Sequence, residues 1–140
     1  MKKTLLITLT LFMLIASLFV VSCVDRSGGG QGDMIYTEDT SLGTGDITFT
    51  LIVEHINDKR VVFTVNTSKS ILSEALKEVG ILEGHDDTYG LYIDSVNGVT
   101  HNYKTDKTYW AVYEGDNYAS TGIDGISIKE GATYKLVASK

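Results

Sequence analysis

The sequence predicts an α+β fold: a β-grasp-like mixed sheet with one helix packed across it. Three observations carry that expectation. Two runs of period-two alternation, Asp46–Glu54 and Arg60–Asn66, flank the short turn His55–Lys59 and read as an antiparallel hairpin. One stretch, Thr67–Gly80, changes to a helical period, with Ile71, Leu72, Ala75, Leu76 and Val79 on a single stripe. Short alternating runs then follow, punctuated by Asn97-Gly98, Gly115-Asp116 and Gly131. A hairpin, one helix and further strands is the order of a β-grasp, and one apolar stripe needs one sheet face to cover.

Two segments of different character precede these elements. Met1-Lys2-Lys3 is a short positive start, and Thr4–Val21 is an apolar run broken only by Thr8, Thr10 and Ser17. That is the pattern of a secretory signal, assigned to residues 1–22. Val20-Val21-Ser22-Cys23 resembles a bacterial lipobox, which implies acyl chains on Cys23. Each buried methylene contributes about 0.8 kcal/mol, so several chains hold a protein stably at a membrane. The expected location is therefore the bacterial cell membrane, lipid-anchored, with the rest of the chain facing outside the cytoplasm. Residues 23–45 are rich in Gly, Ser, Asp and Thr and read as a flexible tether. Residues 46–140 form the folded domain.

Within that domain Ile47, Phe49, Leu51 and Val53 share the inward face of the first strand. Ser68 or Ser70 is expected to cap the helix, and Gly80 to take the left-handed position after it. Ile81–Asp87 reads as a connector. Thr88–Val96 reads as a strand turned by Asn97-Gly98 into Val99–Tyr103. Thr108–Glu114 is a strand returned through Gly115-Asp116 to Asn117–Thr121. Thr133–Ala138 closes the fold with Tyr134 and Leu136 inward.

Tyr109-Trp110, then Gly122-Ile123-Asp124, then Ile128-Lys129-Glu130-Gly131-Ala132-Thr133 and Leu136, resemble the end of the small β-domain of intrinsic factor and transcobalamin, the vitamin B12 carriers. Ser70–Leu76 is similar to the helix, and Tyr89–Val99 to the central strand and turn, of the bacterial transcobalamin-like C-terminal domain family of unknown function. The resemblance spans about residues 46–138. It implies that fold, and a corrinoid such as cobalamin as a ligand rather than a built-in cofactor. The carriers also possess a large helical domain that supplies one side of the cobalamin site, for which this sequence has no counterpart.

The best physical candidate for a binding surface is aromatic. Tyrosine combines a flat apolar body with a hydrogen-bonding tip. Tyr92, Tyr109, Tyr113 and Tyr118 are the candidate ligand-binding residues, with Trp110 and Val112 on the opposite face of their strand and directed to the core. The same surface could serve a protein or glycan partner instead. Gly84-His85-Asp86-Asp87 contains metal-ligating types, but three neighbours in one loop do not close a site. No Gly-x-Ser-x-Gly elbow, His-Glu-x-x-His helix or phosphate-binding glycine loop is present, so no catalytic residue is expected. A formal net charge of −6 argues against a nucleic-acid partner, which would need a basic face.

Overall fold

The computed structural model describes residues 32–140. The expected signal peptide and the lipidation site at Cys23 lie outside the described residues. Among the described residues nine strands form two sheets: a six-stranded mixed sheet in the order β1-β3-β2-β9-β7-β8, and a three-stranded antiparallel sheet in the order β4-β5-β6. The strands are β1 Thr40–Gly43, β2 Ile47–Glu54, β3 Arg60–Thr67, β4 Leu82–Asp87, β5 Gly90–Val96, β6 Val99–Thr100, β7 Tyr109–Glu114, β8 Asn117–Tyr118 and β9 Thr133–Ser139. The helical pieces are α1 Leu72–Glu78, a single turn α2 Tyr103–Asp106, and a 3-10 turn Ile123–Gly125.

The expected α+β, β-grasp-like arrangement is corrected by this architecture. The chain is predominantly β, and α1 has only seven residues. The reason is one of size. Six strands at about 4.8 Å spacing make a sheet about 24 Å wide. A seven-residue helix is about 10 Å long. Such a helix cannot cover that face alone. The second sheet shares the task, because Leu82, Ile93 and Val96 join Leu72, Ala75 and Leu76 of α1 in one core with the large sheet.

The hairpin β2–β3 forms as the alternation predicts, with Ile47 opposite Thr67 and Glu54 opposite Arg60. β9 adds parallel to β2, and β7 antiparallel to β9. Phe49, Leu51, Val53, Phe63 and Val65 are buried on the inner face, with Tyr134 and Leu136 of β9 beside them. Phe49 and Tyr134 meet edge to face at 5.5 Å. The hydroxyl of Tyr134 accepts from Lys129 N–H at 3.0 Å and lies 3.3 Å from Ser127 O, so its polar tip is satisfied inside the core.

Three local expectations change. Residues 33–45 are not a free tether. β1 pairs in parallel with β3, and Asp39 Oδ1 accepts from Val62 N–H at 2.9 Å. Upstream, Tyr36 packs edge-on against Phe63 at 5.6 Å. The expected connector Ile81–Asp87 is a strand from Leu82 onward: its charged side chains are tolerated because β4 is an exposed edge, with a bulge between Glu83 and Gly84. Neither Ser68 nor Ser70 caps α1. Ile71 occupies the N-cap without a side-chain bond, and Leu72 N–H donates instead to Ile126 O at 3.0 Å. Gly80, by contrast, takes φ 73° beyond the helix end as expected.

Gly45, between β1 and β2, sits at φ 153°. A Cβ there would lie 2.1 Å from Thr67 C and 2.3 Å from Thr67 O, both backbone atoms that cannot rotate away. Gly45→Ala is therefore expected to destabilise the domain by about 2 kcal/mol, or about 10 °C in Tm by calorimetry. A Tm within a degree or two of the parent would show that this approach is not tight.

Candidate functional site

The two sheets meet at Trp110. From β7 of the large sheet its Nε1–H donates to Val99 O on β6 of the small one, at 3.3 Å. β8 pairs with β7 only at Tyr113 and Glu114. One further bond, Ala119 N–H to Val112 O at 2.9 Å, extends that ladder. Tyr109, Trp110 and Ala111 have no strand partner on this side among the described residues. A groove opens there, with a volume of about 350 Å³. Tyr92 and its β5 neighbours form one wall, Tyr109, Trp110 and Val112 another, and Tyr118 to Ile123 the rim.

Residues far apart in sequence are fixed around this groove by one carboxylate. Asp124 Oδ2 accepts the N–H of Leu91 at 3.2 Å, tying the rim to the start of β5. Glycine at two positions leaves room for the carboxylate as it is placed. A Cβ on Gly90, at φ 110°, would stand 2.9 Å from Asp124 Oδ2, and one on Gly122 would stand 2.7 Å from Oδ1. The Gly122-Ile123-Asp124 motif thus has a physical role: Ile123 anchors in the core, Gly122 lets the carboxylate turn back, and Asp124 holds β5.

Three of the four candidate tyrosines converge here. Tyr92, Tyr109 and Tyr118 line the groove, and Tyr113 does not. Tyr113 instead meets Tyr118 edge to face at 5.3 Å, across the register of β7 and β8. Tyr118 is 62 % exposed, and it also borders a second hollow of about 510 Å³ with Glu114, Lys129 and Tyr134. Trp110 is in the core as the alternation predicts, yet it is also a groove wall. The hydroxyl rim of Ser120 and Thr121 was missed by reading β8 as far as Thr121. The strand ends at Tyr118, and the following residues swing out as the rim.

Two histidines pack against the indole. His55 lies edge-on to Trp110 at 5.5 Å, and His101 at 4.9 Å. Both are buried, at 8 % and 2 % exposure. Thr108 Oγ1 donates to Asp106 Oδ1, so it accepts from the Nδ1–H of His101 at 2.7 Å. Burial, with lesser contributions from His101 and Lys59, lowers the pKa of His55 to about 4. For Asp106 burial raises the pKa, and the hydroxyl and amide of Thr108 with the amide of Asn102 outweigh it, so the carboxyl titrates below its ordinary range. His85 does not join a metal cluster. Its Nδ1 pairs with Asp94 Oδ2 at 2.6 Å in an exposed position. Among the described residues no group of three or more His, Cys, Asp or Glu could hold a metal ion. Among them, too, no helix is long and apolar enough to cross a membrane.

The fold and groove define a small β domain with an open, aromatic-lined recess. A family model described as a domain of unknown function, DUF4430, matches residues 69–133, from the approach to α1 to the start of β9. No curated protein matches the sequence. Among solved structures, a Ruminococcus gnavus ATCC 29149 protein for which metal binding has been suggested is similar. It is 23 % identical, with a TM-score of 0.64, covering 68 % of this chain and 98 % of that one. Haptocorrin in complex with Cbi is similar at 24 % identity and a TM-score of 0.51. The match covers 67 % of this chain but only 25 % of haptocorrin. These comparisons support the transcobalamin-like fold.

Proposed function

We propose that this is a non-enzymatic ligand-binding domain, and that the groove beside Trp110 takes one edge of a flat, mostly apolar molecule with polar edges, of the corrinoid class. The observation that carries this reading is the convergence of Tyr92, Tyr109 and Tyr118 on one groove. Their rings offer apolar area, the Ser120 and Thr121 hydroxyls offer polar partners, and the open edge of β7 leaves main-chain groups within reach. The fold shared with haptocorrin, seen with Cbi, favours a corrinoid over other flat ligands. A groove of about 350 Å³ does not enclose such a ring, so affinity is expected in the micromolar range. In the same reading Cys23 carries acyl chains that hold the chain at the bacterial cell membrane, with the domain outside the cytoplasm. Metabolic labelling with a palmitate analogue tests that part, and label retained on Cys23→Ser would contradict it.

Calorimetry and visible absorbance with cobinamide and cobalamin test the ligand. Tyr92→Ala and Tyr118→Ala are each expected to weaken cobinamide binding about tenfold, a loss of about 1.4 kcal/mol. Tyr113→Ala is expected to change it less than about twofold, because Tyr113 does not line the groove. No heat and no spectral change at high micromolar ligand would overturn the reading. A second reading, a surface module for a protein or glycan partner, is favoured by exposed Tyr103 beside half-buried Tyr109, 6.3 Å apart with Lys107 Nζ above the Tyr103 ring. Recovery of an envelope partner by the parent chain but not by Tyr103→Ala would support it.

A further inference from the structure

The joint between the sheets contains a titratable group placed where a charge has nowhere to go. His55 stands in the turn between β2 and β3, on the large sheet. His101 follows β6, on the small sheet, and its N–H donates to Asp94 O at 3.1 Å. The indole of Trp110 packs against both of these rings and is itself bonded to Val99 of β6. Nε2 of His55 is buried with no hydrogen-bond partner among the described residues. As a neutral acceptor that nitrogen costs little. Protonated, it becomes a donor with no acceptor and a charge out of reach of water.

The surrounding charges do not offset this. Lys59, in the same turn, is a like charge, and His101 becomes one if it gains a proton. Glu54 and Arg60 flank the turn and are paired with each other at 3.8 Å, side chains in solvent. Asp106 is hydrogen-bonded to Thr108 on the far side of His101. The indole face attracts a cation by about 1 kcal/mol, which favours imidazolium, but desolvation of the buried ring is the larger effect.

We propose that His55, Trp110 and His101 form an acid-sensitive latch between the two sheets, in which neutral His55 is the positioning residue that holds the groove wall. On protonation His55 leaves its pocket, Trp110 loses one side of its support, and the groove opens. The sign follows from the pKa. The folded value is depressed to about 4 from the ordinary 6.5, so the unfolded or opened chain binds the proton more tightly. The latch is complete above pH 6.5 and is lost as the pH falls towards 4. Its consequence for a ligand rests on the proposed function; the latch itself does not.

Trp110 is the only tryptophan, so its emission reports the stack directly in the full-length chain. Without ligand, emission is expected to shift to the red as the pH falls from 6.5 to 4, while far-UV circular dichroism stays native. His55→Phe keeps an aromatic edge against the indole and cannot titrate, so it should abolish the shift. An unchanged shift in that variant would overturn the latch. Should His55→Phe fail to fold, the Cε1–H resonance of His55 in the parent decides: a midpoint near 4 supports the proposal, and one at 6.5 or above refutes it. If cobinamide binds at neutral pH, its binding should weaken at pH 4 in the parent and not in His55→Phe. If cobinamide does not bind, the emission and resonance titrations still decide.

Discussion

Trp110→Ala is expected to be less stable than the parent by about 4 kcal/mol, the loss typical of removing a buried aromatic ring. Trp110 is 6 % exposed, belongs to the core, and supplies the Nε1–H bond to Val99 that crosses between the sheets. Its removal takes away the ring that both His55 and His101 pack against and leaves the carbonyl of Val99 without that donor. Trp110→Phe separates the two contributions. A phenyl ring restores much of the packing but not the donor, so its loss should be about 1–2 kcal/mol. Urea unfolding followed by far-UV circular dichroism measures both. A loss under about 1 kcal/mol for the alanine variant would show that the two sheets are held together elsewhere.

Asn97→Ala is expected to cost about 3 kcal/mol, although Asn97 belongs to a hairpin turn. Its backbone is left-handed, at φ 51°, and it is fully buried. Its side chain makes both main-chain bonds of a missing strand partner. Tyr36 N–H donates to Asn97 Oδ1 at 2.8 Å, and Asn97 Nδ2 donates to Tyr36 O at 2.8 Å. The Asn97 carbonyl accepts from Ile35 N–H at 3.0 Å. Alanine would strand two part-buried groups of Tyr36 and lose asparagine's tolerance of the left-handed region, which adds about 1 kcal/mol. Asn97→Gly incurs only the first of these and should cost about 2 kcal/mol. Faster amide exchange at Ile35 and Tyr36 in both variants is the local signature. Equal stability of the alanine and glycine variants would contradict the backbone part of this account.

The same residue shows what the sequence could and could not reveal. Asn97-Gly98 announces its turn because both residues accept positive φ, and that is a local property. Its grip on Ile35 and Tyr36, 61 residues away for the tyrosine, has no local signal. The same limit hid β1. Thr-Ser-Leu-Gly is short and polar, and its parallel partner β3 lies beyond an intervening strand. β4 was hidden differently, because Glu83, Asp86 and Asp87 suit an exposed edge as well as a loop. The helical stripe of Thr67–Gly80 was real, but its first residues are drawn into other bonds. Lys69 N–H donates to Thr67 Oγ1, and Ile71 bridges to Ser127. A shorter helix, together with the added strands β1 and β4 and the second sheet, makes the fold predominantly β rather than α+β.

For the site, composition and alternation placed tyrosines on strands and put Trp110 inward. They did not show that Tyr92 of β5 would face Tyr109 and Tyr118 across a groove while Tyr113 would not. That selection depends on where β8 stops and on how Asp124 turns the rim towards Leu91, and both are tertiary facts.

The central claim, that this groove is where a flat ligand binds, is tested most directly by amide and aromatic chemical-shift mapping of the full-length chain with cobinamide at neutral pH. The predicted result is a set of shifts confined to Leu91, Tyr92, Tyr109, Trp110, Tyr118 and Thr121, reached at about tenfold higher cobinamide in Tyr118→Ala. Shifts that fall instead around Tyr103 and Lys107, or none at saturating cobinamide, would contradict it.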